Sequence, residues 1–239
     1  MIKLLLLLLK GAKLGKLAVT GGSMLVSVLA YSLIFGWRYA LGFVLLILVH
    51  EMGHYVAAKQ RGLAVGPVTF IPFVGAWIEL KEQPMNVETE AYVAMAGPLA
   101  GTIAAFACYE YAKLAHADLW MALAYAGFFL NLFNLIPLPP FDGGRITSIL
   151  SRKLWLAGVP LFIAVFLWRP SPLLILVVIL AAPHLLALWR GLAAPADPRY
   201  DEVPMMTRVN YGAVYLTLAA YLAVMSYETY ERLGHHLAS

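Results

Sequence analysis

The sequence predicts an all-α polytopic membrane protein of about six to seven transmembrane helices, interrupted by one short re-entrant β-hairpin. Three observations lead there: an apolar composition, a succession of long apolar stretches, and a one-sided distribution of lysine and arginine. Hydrophobic residues fill 62% of the 239 positions and charged residues 13%, against roughly 45–50% and about 25% in soluble domains. Apolar stretches fall at 17–35, 38–58, 91–112, 119–138, 154–168, 171–189 and 211–228, most of them near the roughly 20 residues a helix needs to cross a hydrocarbon core. Two are weaker spans, because 154–168 is short and holds Pro160 while 171–189 holds Pro183 and His184; whether they make two full crossings or a tilted hairpin stays open.

Orientation follows from charge. With the amino terminus in the cytoplasm and strict alternation, 13 of the 17 basic residues fall inside, leaving Arg38, Lys113, Arg169 and Arg232 outside, the bias expected of a cytoplasmic amino terminus. The start, Met1-Ile2-Lys3 followed by six leucines, has too short an apolar run for a signal peptide, and Lys10, Lys13 and Lys16 stand where a small-residue cleavage site would be. It reads as an uncleaved interfacial segment ahead of the first span. The net charge of +4 concerns orientation and anionic lipid; the sequence carries no nucleic-acid motif. A single cysteine, Cys108, excludes a disulfide framework and an all-cysteine metal site.

Between the second and third spans, residues 66–82 are apolar but broken by Pro67, Pro72 and Gly75, which suits a re-entrant or interfacial hairpin of short strands. Residues 191–208, with Pro195, Pro198 and Pro204 among mixed charges, read as a cytoplasmic loop before the last span. The chain thus divides into 1–35, 36–150 and 151–239, with no connection long enough for a packed soluble domain.

The chemistry concentrates in His50-Glu51-Met52-Gly53-His54. On a helix the two histidines lie one turn apart on one face, about 6 Å along the axis, so both imidazoles can reach one metal ion. Glu51, beside the first histidine, can take a proton from water at that ion and deliver it to a leaving amine. The pentapeptide follows the apolar run Leu41 to Val49, where burying ionisable groups costs several kcal/mol, on the order of 3 per group, unless they are paired or ligated. His50 also lies nine residues before Lys59, about 14 Å of helix from the cytoplasmic end.

A catalytic zinc usually takes a third protein ligand. Asp142 is the carboxylate that stands out, at the end of Asn134-Leu-Ile-Pro-Leu-Pro-Pro-Phe-Asp142-Gly143-Gly144-Arg145. The prolines break the helix and the glycines permit a tight turn, which can present a carboxylate at depth. A plain helix cap for Gly143 to Leu150 is the other reading.

These motifs resemble the intramembrane site-2 protease family of zinc metallopeptidases. His50, Glu51, Gly53 and His54 match its His-Glu-x-Gly-His motif, and Asn134, Pro137, Asp142 and Gly143 match its Asn-x-x-Pro stretch leading into Asp-Gly. Gly97-Pro98-Leu99-Ala100-Gly101 and the Phe70-to-Trp77 hairpin extend the likeness over roughly 35–150. The resemblance implies a three-helix catalytic core in 36–150, built from the spans carrying His50, Gly97 and Asn134. It implies one zinc ion on His50, His54 and Asp142, with Glu51 as general base and acid. Asn134 would hold substrate or stabilise the oxyanion, or alternatively form an interhelical hydrogen bond. For Gly97 and Gly101 close helix packing is the preferred reading.

The implied activity is hydrolysis of a peptide bond in or near the transmembrane segment of a membrane-protein substrate, as in regulated intramembrane proteolysis, within a prokaryotic cell membrane and toward its cytoplasmic side. Many members carry an appended sensing or peptide-binding domain, for which this chain leaves no room. Two other readings stay open: a catalytically silent metal-binding scaffold that holds transmembrane partners, and a transporter with His50, Glu51 and Asp142 along an ion path.

Overall fold

The computed structural model describes residues 2–80, 84–168, 172–191 and 197–238. Lys81, Arg169 and Pro195 lie outside these residues, as do the side chains of the leucine-lysine segment 2–14 and of His235 and His236. The chain is mostly helical: α1 (Ile2–Phe35), α2 (Trp37–Gln60), α3 (Val87–Ala115), α4 (Asp118–Asn134), α5 (Asp142–Ser148), α6 (Trp155–Trp168), α7 (Pro172–Trp189) and α8 (Met205–Ala238). A hairpin of β1 (Val65–Ile71) and β2 (Gly75–Leu80) stands between α2 and α3.

Each expected span falls on a helix. Four are long and apolar enough to cross a bilayer: α1 over Ala18–Phe35, α2, α3, and α8 over Met205–Gly234. Three are shorter, with 17 residues in α4, 14 in α6 and 18 in α7. At 1.5 Å per residue α6 rises only about 21 Å, short of the roughly 30 Å hydrocarbon core. The amino-terminal segment runs into the first span as one continuous helix. Gly36, at φ 80°, makes the sharp turn from α1 into α2, a backbone conformation that glycine adopts without the clash of a Cβ.

α3 is the central helix, packed between α2 and α4. Its start is well specified: the Asn86 side chain accepts from the Thr89 N–H at 2.8 Å, and Glu88 and Glu90 occupy the first turn, where acidic side chains favour the helix dipole. The core joins Leu46 of α2, Ala94, Met95 and Ala105 of α3, Leu123 and Phe128 of α4, and Leu218 and Leu222 of α8. Large apolar side chains such as Leu33, Ile103 and Leu114 are more than 70% exposed at the periphery, a pattern suited to lipid and not to water.

The hairpin is antiparallel, pairing Val68 with Ile78, Thr69 with Trp77, Phe70 with Ala76 and Ile71 with Gly75. Pro67 sits in the irregular stretch between Val65 and Val68, where its missing N–H does least harm. Pro72 and Phe73 make the turn, closed by Val74 N–H to Ile71 C=O at 3.2 Å, with Phe73 at φ 63°. Val68, Phe70, Ala76 and Ile78 turn one face onto Tyr31 of α1 and Ala40, Val44 and Ile47 of α2.

The connection before α8 is tied down at several points. Arg152 makes a paired contact with Asp201 at 2.6 and 3.0 Å, and Arg208 donates to the carbonyls of Ile149 and Asp201 at 2.6 Å each. Tyr200 donates to Glu90 at 2.8 Å. Burial, and then the Glu90 carboxylate, raise the Tyr200 phenol well above its ordinary value, so it remains a donor.

Candidate metal centre

α2 presents His50 and His54 toward α3 and α4 through very close backbone approaches. A Cβ on Gly53 would strike the Ala96 carbonyl of α3, one on Gly97 would strike the His54 imidazole, and one on Gly101 the Asn131 amide. The two α3 glycines, expected as a packing motif, therefore act as slots: each leaves room for a polar side chain from a neighbouring helix.

Asp142 arrives by a folded-back path. α4 ends at Asn134, residues 135–141 turn, with a cis peptide bond between Pro139 and Pro140, and Asp142 is the first residue of α5. A Cβ on Gly143 would strike the Leu135 and Ile136 carbonyls, and one on Gly144 would lie 2.5 Å from Pro139 N. The Leu135 carbonyl, freed at the break, accepts from the Tyr215 hydroxyl at 2.6 Å, as a broken helix in lipid requires, and the Trp155 indole donates to the Gly144 carbonyl of α5 at 2.8 Å. The capping position of α5 belongs to Phe141. The Asp142 side chain points instead to the histidines.

There three donor atoms converge. His50 Nε2 and His54 Nε2 are 3.1 and 3.2 Å from Asp142 Oδ2 and 3.0 Å from each other, and all three residues are less than a tenth exposed. The remaining ring nitrogens are committed. His50 Nδ1 donates to Asn131 Oδ1 at 2.8 Å, and His54 Nδ1 donates to the Val93 carbonyl at 2.7 Å. Acceptors at both Nδ1 atoms place the protons there and leave both Nε2 lone pairs facing the Asp142 carboxylate. Two imidazole lone pairs and an anionic oxygen brought this close form a triad that could hold a metal ion. Two nitrogens and one oxygen, each histidine oriented by an outer acceptor, are a donor set that suits zinc.

The triad borders a cavity of about 300 Å³ lined also by Glu51, Asn134, Arg145 and the hairpin residues Val74 to Ile78. Glu51 is buried, 7% exposed. Asn134 reaches the cavity, while its amide donates to the Leu130 carbonyl of its own helix at 3.0 Å. Arg145 is paired with Glu90 at 3.6 Å. His116 instead ends α3 in a left-handed conformation, and His184 in α7 faces the Leu180 carbonyl and the Trp155 ring.

Sequence reasoning missed Asn131. It is 1% exposed, accepts from His50, and donates to the Gly127 carbonyl at 2.7 Å, which fixes its amide so that Oδ1 faces the imidazole. The available signal was a polar amide in the apolar run Phe128 to Phe133, since such a group needs a partner within the bundle. Asn131→Leu is expected to leave His50 Nδ1–H unpaired and weaken zinc affinity roughly 10–100-fold, measured by competition against a chromophoric chelator.

Comparison with known proteins gives concordant matches. The family model described as Peptidase family M50 matches residues 38–113 and 109–166. A zinc metalloprotease of Methanocaldococcus jannaschii is 33% identical over 124 residues, covering 48% of this chain and 36% of that protein. Stage IV sporulation protein FB of Bacillus subtilis is 30% identical over 112 residues, covering 46% and 38%. Among solved structures, the Site-2 Protease from Methanocaldococcus jannaschii matches with a TM-score of 0.45 and 24% identity, covering 73% of this chain and 88% of that one. The aligned stretch spans between 36% and 38% of the length of the two curated relatives.

Proposed function

From the premise that this chain belongs to peptidase family M50, the site-2 protease family, matched from residue 38 to residue 166, we propose that it is a zinc-dependent intramembrane endopeptidase. Its substrate would be a peptide bond in or near a transmembrane segment of another membrane protein. The observation that carries this reading is the convergence of His50, His54 and Asp142 beside Glu51 in one buried cavity. Zinc held by those three groups would supply Lewis acidity, polarising the scissile carbonyl and easing deprotonation of a water.

The chain's own residues do the rest. Glu51 takes a proton from the attacking water and hands it to the leaving amide nitrogen as the C–N bond breaks. Asn134 offers an amide donor to the carbonyl oxygen as negative charge gathers there, or holds the substrate backbone. Val74 to Ile78 wall the cavity, so an unwound substrate segment can lie along the free side of β2 as an added strand. Lipid-facing apolar surface around α2, α3 and α4 keeps bulk water from the site.

In the bilayer, residues 36–150 form the catalytic core, 1–35 precede it and 151–239 add the remaining helices, with six to seven crossings in all. The amino terminus lies in the cytoplasm and the site opens toward that side. Two ends of the bundle support this: Arg61, Arg145, Arg152 and Arg208 gather with Glu88, Glu90 and Asp201 at one, while Lys113 and Arg232 share a cavity at the other. The silent-scaffold reading is disfavoured by Glu51, which zinc binding alone does not need and which lines the same cavity.

The test is metal dependence in purified protein. Chelation should abolish cleavage of a single-pass substrate, and one equivalent of zinc per chain should restore it. Cleavage that persists in fully metal-depleted enzyme would refute the proposal.

A further inference from the structure

α1 is apolar on its outer side, where Leu25, Val26, Leu29 and Leu33 are exposed. Thr20, Ser23, Ser27 and Tyr31 recur every three or four residues, which places them along a single face of the helix. That face lies on β1. Thr20 Oγ1 donates to the Val68 carbonyl at 2.8 Å, Ser23 Oγ accepts from Phe70 N–H at 3.2 Å, and the Tyr31 hydroxyl accepts from Phe73 N–H at 3.0 Å. Ser23 also donates to Val19 C=O at 2.7 Å, so one hydroxyl serves helix and hairpin together. Ser27 is buried, its hydroxyl without a hydrogen-bond partner among the described residues. The Tyr31 ring meets Phe73 at 4.9 Å and Phe43 at 5.3 Å, supporting Phe73 in a left-handed conformation that side-chain-bearing residues rarely adopt.

These bonds fix the polarity of the hairpin. Val68 C=O and Phe70 N–H point away from β2, so Thr69 and Ile71 are the residues that exchange backbone bonds with Trp77 and Gly75 across the observed register. By the same alternation the N–H and C=O groups of Ala76 and Ile78 point to the unpaired side of β2. Both residues line the cavity of the metal-binding triad. An unpaired sheet edge is costly at membrane depth. Here one edge is closed by side chains of a helix, and the other is left to the cavity.

We propose that α1 is a brace that makes the hairpin single-sided: Thr20 and Ser23, which occupy the outer edge of β1, and Tyr31, which holds the turn at Phe73, are positioning residues that keep the Ala76–Ile78 edge open to a substrate strand. The docking half rests on the proposed peptidase reading, whereas the brace itself does not. It also explains why hydroxyl groups interrupt an otherwise lipid-facing helix on this face.

The experiment uses the full-length, zinc-loaded chain in phosphatidylcholine nanodiscs and reads amide hydrogen exchange together with cleavage kinetics. Ser23→Ala should speed exchange at Phe70, and Tyr31→Phe at Phe73, by roughly tenfold, with Thr69 and Ile71 unchanged. The same variants should raise KM for a transmembrane substrate roughly fivefold, with kcat and zinc content unchanged. Thr20→Val should behave likewise, while Thr20→Ser, which keeps the hydroxyl, should resemble wild type. Unchanged exchange at Phe70 and Phe73 overturns the brace, and faster exchange with an unmoved KM overturns its role in docking. A wild-type chain that cleaves nothing overturns the peptidase reading and the docking half with it, while the exchange data still decide the brace.

Discussion

Replacing Glu51 with glutamine should reduce cleavage by about 10³-fold or more while zinc stays at one per chain, because the substitution keeps shape and removes only the proton acceptor. Glu51 stands next to His50 but is not among the three converging donors, which are His50 Nε2, His54 Nε2 and Asp142 Oδ2. The Glu51 side chain lines the cavity beside them. An amide there cannot take a proton from water at neutral pH, so substrate and metal should still bind while turnover fails. Single-turnover cleavage alongside metal analysis separates these effects. A Glu51→Gln enzyme working within tenfold of wild type would refute the assigned proton transfer, and a variant that loses its zinc would make Glu51 a metal-site residue.

Loss of the Asp142 carboxylate should be as severe by a different route. In Asp142→Ala the two imidazoles keep their outer partners, Asn131 and the Val93 carbonyl, but the anionic member of the triad is gone. Zinc affinity is expected to fall by more than the roughly 10–100-fold of an outer-partner loss, and activity should fall with it. Equilibrium dialysis measures this directly. The capping interpretation of Asp142 predicts unchanged zinc affinity and a small loss of stability, about 1 kcal/mol. Phe141 already occupies the cap, which is why the larger effect is expected.

What could be read in advance was whatever depends on residues near one another in sequence. His50 and His54 share a face of any helix that contains them, and an apolar stretch forms a helix because each of its backbone bonds closes within four residues. The break at Pro137, Pro139 and Pro140 was legible on the same ground. For Asp142 the residues alone left capping and ligation alike and only the family resemblance pointed to ligation; the fold-back over Gly143 and Gly144 brings it to His50, 92 positions away. Asn134 is singled out by its match to the Asn-x-x-Pro motif, which says nothing of Asn131 three positions earlier. The two lie only about 60° apart around α4, and which one meets His50 depends on how the helix is rotated against Gly101.

By itself the sequence determined an apolar, helical chain with a strand hairpin, two histidines and a carboxylate on one helix, and a proline-broken carboxylate elsewhere. The tertiary structure decided that Asp142 lies against His50 and His54, that Asn131 orients His50, that Gly97 and Gly101 are slots for polar side chains, and that hydroxyl groups of α1 bond to the outer edge of the hairpin. The division follows from range. Local periodicity sets which residues share a face, whereas long-range packing sets what that face meets, and each of these contacts joins residues at least 30 positions apart.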